Sequence, residues 1–209
     1  MKKKYHVILF FSSLLLGLGT YFLFFSKQPV KTTLIYQQPK KLHDFTLVDQ
    51  HGVIFNKQRL AGHWTLFFVG YTSCPDICPT TLIEIQKVAQ ELHELDIQFV
   101  MVSVDPEHDS LSKLKQYMSY FDSHLLAVRG EHPQLYPFTK QLGLMYSKFD
   151  SQEDYAIIDH SASMVLVNPH QQIVAMLKPQ LHDLSAAMTL SAKEILFDLK
   201  LLLSGRASS

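Results

Sequence analysis

The chain of 209 residues contains only two cysteines, and it has no excess of charge of either sign. Lys and Arg together number 19, and Asp and Glu together also number 19. Because proteins that bind nucleic acid present a basic face, this balance excludes nucleic acid as an expected partner. The chain also lacks internal repeats and low-complexity tracts, while hydrophobic residues make up 47% of it. One ordinary domain with a sizeable core is therefore expected, together with a small appendage.

Val7–Phe25 is an apolar run without a charged residue, within the longest uncharged stretch of the chain. About 20 apolar residues span a bilayer, whereas the apolar centre of a cleaved signal peptide has roughly 7–15. No small-residue cleavage site follows, so the run predicts an uncleaved transmembrane helix over residues 7–25. The positive-inside rule keeps Lys2–Lys4 in the cytoplasm. We therefore expect a single-pass protein of a bacterial inner membrane, with residues 1–6 in the cytoplasm, the lipid bilayer as a partner and the C-terminal domain in the periplasm.

The rest of the chain divides into a connecting segment, a domain and a short tail. Residues 26–41 are polar and contain two prolines, which predicts a tether. Over residues 42–203, short apolar runs alternate with helical patterns, as in an α/β domain with a central mixed sheet flanked by helices. Residues 204–209 form the tail.

Individual elements follow from the apolar pattern. Strands are expected at Phe45–Val48 and Val53–Phe55 (a hairpin), His63–Gly70, Ile97–Asp105, Ser163–Val167 and Ile173–Leu177. Helices are expected from Pro79 onward, after a cap at Asp109, near Gln134–Leu142, and at the C-terminal end up to Leu203.

Both cysteines, Cys74 and Cys78, lie between a predicted central strand and a predicted helix. Open α/β sheets place reactive groups at this carboxyl edge. Pro79 suits the first position of the helix, where the dipole would favour a thiolate at Cys78. Three roles are open to the pair: a structural disulfide, a redox pair, or two metal ligands.

The sequence supports these three roles to different degrees. A disulfide that closes so short a loop contributes only about 2 kcal/mol in the chain-entropy model, so a structural staple adds little. Thioredoxin-type pairs are separated by two residues and this pair by three, which permits disulfide chemistry without requiring it. A metal site needs a third ligand, and His160, at a turn before a strand, is the best candidate. Thiolates suit copper(I) and zinc, and an added imidazole also accommodates copper(II).

Three blocks of sequence together resemble the Sco/SenC family. They are GYTSCPDICPTTL at 70–82, VSVDPEHDS at 102–110 and IDHSASMVLVNP at 158–169. The resemblance covers about residues 42–203 and implies a thioredoxin-like fold that is tethered outside the membrane and binds one copper ion. Cys74 and Cys78 match the two cysteine ligands of the family, and His160 matches its histidine ligand.

The resemblance also implies a function. A copper metallochaperone is expected, which assists assembly of the binuclear copper site in subunit II of cytochrome c oxidase, with other copper chaperones as further partners. The alternative is a membrane-anchored thiol-disulfide oxidoreductase whose redox pair, Cys74 and Cys78, reduces that site or another exported protein. A peroxidase lacks support, because no arginine lies between Arg59 and Arg129. One departure from the family is the turn at 168–172, which carries no glycine.

Overall fold

The computed structural model describes residues 33–121, 125–149, 157–160, 162–179 and 189–204, with His6, Ser13, Leu14 and Gly17; at 148, 149 and 157–160 it describes the backbone. The chain divides into two compact units, Met1–Lys31 and Thr32–Ser209. None of the helices among the described residues is long and apolar enough to cross a membrane. Apart from three positions, the transmembrane helix predicted at 7–25 lies outside the described residues and stays a prediction.

The second unit consists of alternating strands and helices. The strands are β1 (Thr33–Lys41), β2 (Thr46–Asp49), β3 (Ile54–Asn56), β4 (Trp64–Gly70), β5 (Ile97–Ser103), β6 (Leu125–Arg129), β7 (Tyr146–Phe149), β8 (Ile157–His160), β9 (Met164–Val167) and β10 (Gln172–Leu177). The helices are α1 (Ile77–Glu91), α2 (Leu111–Met118), α3 (His132–Leu142) and α4 (Ala192–Leu203).

Eight of the strands form one mixed sheet in the order β1-β10-β9-β4-β5-β6-β2-β3. Strands β4, β5 and β6 run parallel, and the other pairings in this sheet are antiparallel. Strands β7 and β8 form a separate antiparallel pair. The expected α/β architecture with a mixed sheet and helices is confirmed. The parallel arrangement also brings the carboxyl ends of β4 and β5 to one edge of the sheet.

The sheet is buried on both faces, which explains the continuous apolar run of β4. Successive side chains of a strand point to opposite faces. Phe67 and Val69 accordingly pack in the cluster that contains the buried residues of α3. Leu66 and Phe68 pack in the cluster that contains buried residues of α1, α2 and α4, here called the three-helix face.

The segment predicted as a tether differs from the structure over Thr33–Lys41, which forms β1. This strand pairs antiparallel with β10, and its register shifts between Ile35 and Lys40. It lies at the edge of the sheet and is largely exposed. An edge strand tolerates Pro39 and polar side chains, so the apolar pattern that marks interior strands is missing.

Two helix starts also differ from the sequence-based prediction. The first helix begins at Ile77, two residues before Pro79, so Cys78 lies inside its first turn. The second begins after Ser110, whose hydroxyl accepts a hydrogen bond from the Lys113 backbone N–H at 3.2 Å. The predicted cap role of Asp109 is therefore wrong.

Candidate metal centre

The two cysteines lie where β4 ends and α1 begins. The cysteine loop, residues 71–76, connects these elements and carries Cys74, while Cys78 follows in the first turn of α1. The backbone N–H of Cys78 donates to Cys74 Sγ at 3.4 Å, and the Cys74 backbone N–H donates to the Tyr71 carbonyl at 3.3 Å. Both side chains are thiols in this structure. The fold thus brings the pair together at the carboxyl end of a central strand.

The two thiols differ in their surroundings. Cys78 has 2% of its surface exposed, whereas Cys74 is partly exposed. A hydrogen bond with the Cys74 thiol raises the pKa of the Cys78 thiol well above its ordinary value, and burial adds to this, against a smaller opposing effect of the Tyr71 backbone. In the metal-free pair, these effects outweigh the helix dipole that was expected to favour a thiolate at Cys78. A metal ion that binds both sulfurs must displace the Cys78 proton.

Gly70 is the last residue of β4. Because it has no side chain, it leaves a space open, and the Cys78 sulfur lies beside that space. A Cβ atom at position 70 would lie 2.9 Å from Met101 Sδ and 3.5 Å from Cys78 Sγ. The first distance is shorter than a carbon and a sulfur tolerate. Because Leu66 and Phe68 point to the three-helix face, the alternation along the strand puts the Cβ position of Gly70 on the same face. Cys78 itself packs in the cluster of α3, so its sulfur lies past the end of β4, where the two clusters meet.

Asp109 anchors the cysteine loop through hydrogen bonds. Its side chain is fully buried, and its carboxylate accepts hydrogen bonds from the Thr72 backbone N–H at 3.1 Å, from the Thr72 hydroxyl, and from the Ser103 hydroxyl at 2.6 Å. The Lys113 ammonium lies 4.0 Å from the carboxylate and donates to the Ser73 hydroxyl at 3.0 Å. The loop is therefore fixed to the end of β5 and to the first turns of α2.

This role of Asp109 was missed at the sequence level, where the residue was interpreted as a helix cap. A signal for it exists in the topology. Asp109 follows the carboxyl end of β5, and Cys74 follows the carboxyl end of β4, the parallel neighbour. A carboxylate at this edge is therefore within reach of the cysteine loop.

His160 is the last residue of β8, and its backbone pairs with that of Tyr146 in β7. Tyr146 is buried in the same hydrophobic cluster as Cys78 and Tyr71, and Cys74 packs against that cluster. The side chain of His160 lies outside the described residues. Its role as the third ligand therefore stays a prediction, while its strand neighbour belongs to the surroundings of the cysteine pair.

A separate group of polar side chains follows β5. Ligand atoms of Asp105, Glu107 and His108 lie within 4.8 Å of one another, and His108 Nδ1 lies 2.8 Å and 2.9 Å from the two carboxylate oxygens of Asp105. Asp105 is buried, while Glu107 and His108 are exposed. The Asp105–His108 hydrogen bond accounts for this arrangement, so we assign no metal to it.

A mixed α/β sheet with two adjacent thiols at its carboxyl edge defines a class of proteins that bind soft metals or exchange disulfides. Within that class, the chain matches the model of the SCO1/SenC family over residues 35–193. It is also 34% identical over 178 residues to an SCO2-like protein of Rickettsia prowazekii, covering 80% of this chain and 87% of that protein. The family match spans more than half of the chain, so the chain belongs to the SCO1/SenC family.

Solved structures agree with this assignment. ScoI of Bradyrhizobium japonicum, described with copper bound, is 29% identical, with a TM-score of 0.64 and coverage of 77% of this chain and 98% of that one. The fold is shared with a protein called BsSco at 21% identity, with a TM-score of 0.60 and coverage of 79% and 95%. That protein is described as having a disulfide switch and as a member of the Sco family of cytochrome c oxidase assembly proteins.

Proposed function

We propose that this chain is a copper metallochaperone that binds one copper ion through Cys74, Cys78 and His160. Its acceptor is the binuclear copper site in subunit II of cytochrome c oxidase, and other copper chaperones are further partners. The family membership and the copper-bound relative support the choice of metal. The residues that carry the proposal are this chain's own thiols.

The observation that carries the proposal is the contact between the two cysteines. Cys74 Sγ accepts from the Cys78 backbone at 3.4 Å, which brings two soft donors to one edge of a rigid sheet. Because Asp109 fixes the loop that holds Cys74, the pair is positioned before metal arrives. Two thiolates suit copper(I), and an added imidazole also accommodates copper(II).

Three ligands also suit transfer. Copper(I) held by two thiolates and one imidazole keeps a coordination position open, and a ligand from the acceptor protein enters there. A closed site with four protein ligands would retain its metal instead. The partial exposure of Cys74 gives the acceptor a route to the ion.

An anaerobic copper(I) titration of the reduced full chain, with competing chelators to fix the affinity, tests the proposal. One tightly held copper ion per chain is expected. Cys74→Ala, Cys78→Ala and His160→Ala should each weaken binding by more than about 100-fold, the upper range for losing a residue that only orients a ligand. His170→Ala, in an exposed turn, is the matched control and should bind as wild type does.

The outcomes separate the parts of the proposal. Unchanged affinity in His160→Ala would remove that residue from the site while leaving a copper protein with two sulfur ligands. Absence of tight binding by the wild-type chain would overturn the copper chaperone assignment.

The second candidate function is a thiol-disulfide oxidoreductase with a thioredoxin-like arrangement of strand, thiol pair and helix. Cys74 and Cys78 would form a disulfide and pass two electrons and two protons to a disulfide of an exported partner, such as the oxidised copper site of subunit II. The adjacency of the two thiols favours this reading as well. His160→Ala separates the candidates, because a reductase keeps its activity without the imidazole and a three-ligand copper site does not.

The proposed location is the periplasmic side of a bacterial inner membrane, with residues 7–25 as the anchor. The supporting observation is the uncharged run at Val7–Phe25 after Lys2–Lys4. Extraction of membranes with alkaline carbonate should leave the full chain in the pellet, and a charged substitution such as Leu15→Arg should release it. Release of the unaltered chain would contradict the anchor.

A further inference from the structure

Tyr117, in the last turn of α2, has a polar atom that the fold leaves unsatisfied. Its hydroxyl oxygen is buried and has no hydrogen-bond partner within the described part of the chain. Burying a hydroxyl without a partner costs about 1–3 kcal/mol. A phenylalanine would fill the same space without this cost, since the ring itself packs edge-on against Phe121 with 5.5 Å between centroids. The hydroxyl therefore has a role other than packing.

The direction of the Tyr117 side chain follows from helix geometry. Lys113 lies four residues earlier on the same face of α2, and its ammonium reaches Ser73 in the cysteine loop at 3.0 Å. Side chains of a helix lean toward its N-terminus, which for α2 lies beside Asp109 and the carboxyl edge of the sheet. The Tyr117 side chain accordingly leans toward Asp109 and the cysteine loop.

The Cys78 sulfur also borders the face of the sheet on which Tyr117 packs. Tyr117 packs against the cluster of the three-helix face, which contains Met101. The Cβ position of Gly70 lies on that face, 2.9 Å from Met101 Sδ and 3.5 Å from Cys78 Sγ. The sulfur thus borders the cluster against which Tyr117 packs, while Cys78 itself belongs to the cluster of α3.

The electrostatic surroundings of Tyr117 agree with this geometry. Burial raises the pKa of its hydroxyl, and Cys78, Cys74 and Asp109 raise it further, in that order. The hydroxyl therefore keeps its proton and remains a hydrogen-bond donor. The groups that act on it are the two sulfurs of the site and the carboxylate that holds their loop.

We propose that Tyr117 is a positioning residue of the cysteine site, whose hydroxyl donates toward the sulfurs once they lose their protons and so stabilises the metal-binding thiolate pair. In the metal-free dithiol form the sulfurs are neutral, and the hydroxyl has little to donate to. When copper binds, the thiol protons leave to solvent, Tyr117 retains its own proton, and its O–H dipole turns toward the new negative charge. This inference rests on the proposed function only in taking copper as the metal that the sulfurs bind.

The test compares Tyr117→Phe with Tyr120→Phe in the full chain. Tyr120 is the matched control, because it lies just after the same helix with 75% of its surface exposed. Tyr117→Phe should weaken copper(I) binding about tenfold, the typical effect of losing one hydrogen bond to a charged group. With copper(II), the sulfur-to-copper charge-transfer band should move to longer wavelength. The metal-free, reduced variant should be at least as stable as wild type, which excludes a folding defect.

A second readout needs no metal. At a fixed pH, alkylation of the reduced protein by iodoacetamide follows the thiolate population. A tenfold smaller thiolate population, offset by higher nucleophilicity, gives about threefold slower alkylation in Tyr117→Phe. Tyr120→Phe should behave as wild type in both readouts.

The two readouts keep the failures apart. Unchanged copper affinity, absorption band and alkylation rate in Tyr117→Phe would overturn the role of Tyr117, while copper binding by wild type would leave the proposed function standing. Slower alkylation in a chain that binds no copper would support Tyr117 and overturn the copper assignment.

Discussion

The sheet has a carboxyl edge, where the parallel strands β4, β5 and β6 end, and an amino edge, where they begin. The hydrogen bonds that hold the loops at these two edges differ in how far apart in the chain they join residues. At the amino edge, Asp49 accepts from the backbone N–H groups of His51 and Val53, both at 2.9 Å, and so closes the β2–β3 turn. At the carboxyl edge, Asp109 accepts from Thr72, 37 residues earlier in the chain, and from Ser103. Both aspartates are buried, so burial alone does not distinguish a turn residue from one that shapes a site.

The second amino-edge turn repeats the local pattern. Asn168 accepts from the backbone N–H groups of His170 at 3.1 Å and Gln172 at 2.9 Å, again two and four residues ahead. In both turns the backbone N–H groups donate to a side chain of the same turn, and exposed N–H groups have water as a substitute partner. The Asp49 carboxylate also lies 3.8 Å from the Arg59 guanidinium. The donors that Asp109 binds have less access to water as such a substitute, because Ser103 is fully buried and Thr72 is only partly exposed. Substitutions at the carboxyl edge should therefore weaken copper binding, and substitutions at the amino edge should not.

Replacing the buried anchor should produce the largest effect. Asp109→Ala leaves the donors of Thr72 and Ser103 unpaired and should lower the free energy of unfolding by about 3 kcal/mol. It should also weaken copper(I) binding by about tenfold or more, because Cys74 loses its fixed position. Urea unfolding of the reduced, metal-free chain and chelator competition measure the two effects.

Asp49→Ala is the control at the other edge. It should cost about 1 kcal/mol, since His51 and Val53 are exposed and water replaces the carboxylate. Copper affinity should stay at the wild-type value. Equal losses of copper affinity in both variants would contradict the distinction between the edges.

A methyl group at Gly70 should have the next largest effect. In Gly70→Ala the new Cβ would lie 2.9 Å from Met101 Sδ and 3.5 Å from Cys78 Sγ, so the side chains must move. Overpacking of this kind costs about 1–3 kcal/mol, and the displaced sulfur should bind copper more weakly. Both quantities are measurable by denaturant unfolding and by copper competition.

Gly52→Ala provides the comparison for Gly70→Ala. Gly52 has φ of 81° and nothing within 4 Å of a Cβ atom, so its cost is a backbone cost of about 1–2 kcal/mol. Copper binding should be unchanged. Retention of full copper affinity in Gly70→Ala would show that the space beside Cys78 does not matter to the site.

Through Cys78, the carboxyl edge should also make the stability of the folded chain depend on pH in the alkaline range. The raised pKa of Cys78 means that the folded chain keeps a proton that the unfolded chain loses above about pH 8.5. Stability from this group is complete below that pH and decreases as the pH rises, by up to about 1.4 kcal/mol per unit. Urea unfolding of the reduced chain across this range should show the slope.

Cys78→Ala removes this contribution, so the difference in slope between the variant and wild type isolates Cys78 from lysines and tyrosines that titrate nearby. His170→Ala at the amino edge should keep the wild-type slope. Parallel pH profiles for Cys78→Ala and wild type would show that the thiol has the same pKa in the folded and unfolded chain.

The same difference in range explains what the sequence predicts and what it does not. Interior strands such as β4 were predicted because burial on both faces leaves a continuous apolar run, and the cysteine pair because its members are close in the chain. The edge strand β1 was not predicted, because an exposed strand has no continuous apolar run. The role of Asp109 depends on Thr72, 37 residues away, and no local pattern records such a contact.

The smallest expected effect lies at the amino edge, in the β9–β10 turn that carries no glycine. Gln171 has φ of 62°, a left-handed conformation that costs a residue with a Cβ atom about 1–2 kcal/mol, whereas glycine adopts it freely. Gln171→Gly removes this strain but makes the unfolded chain more flexible, so the net gain in stability should be about 1 kcal/mol or less. Urea unfolding should show the gain with copper affinity unchanged, because Asn168 still closes the turn. A loss of stability would mean that the Gln171 side chain contributes more than its backbone strain costs.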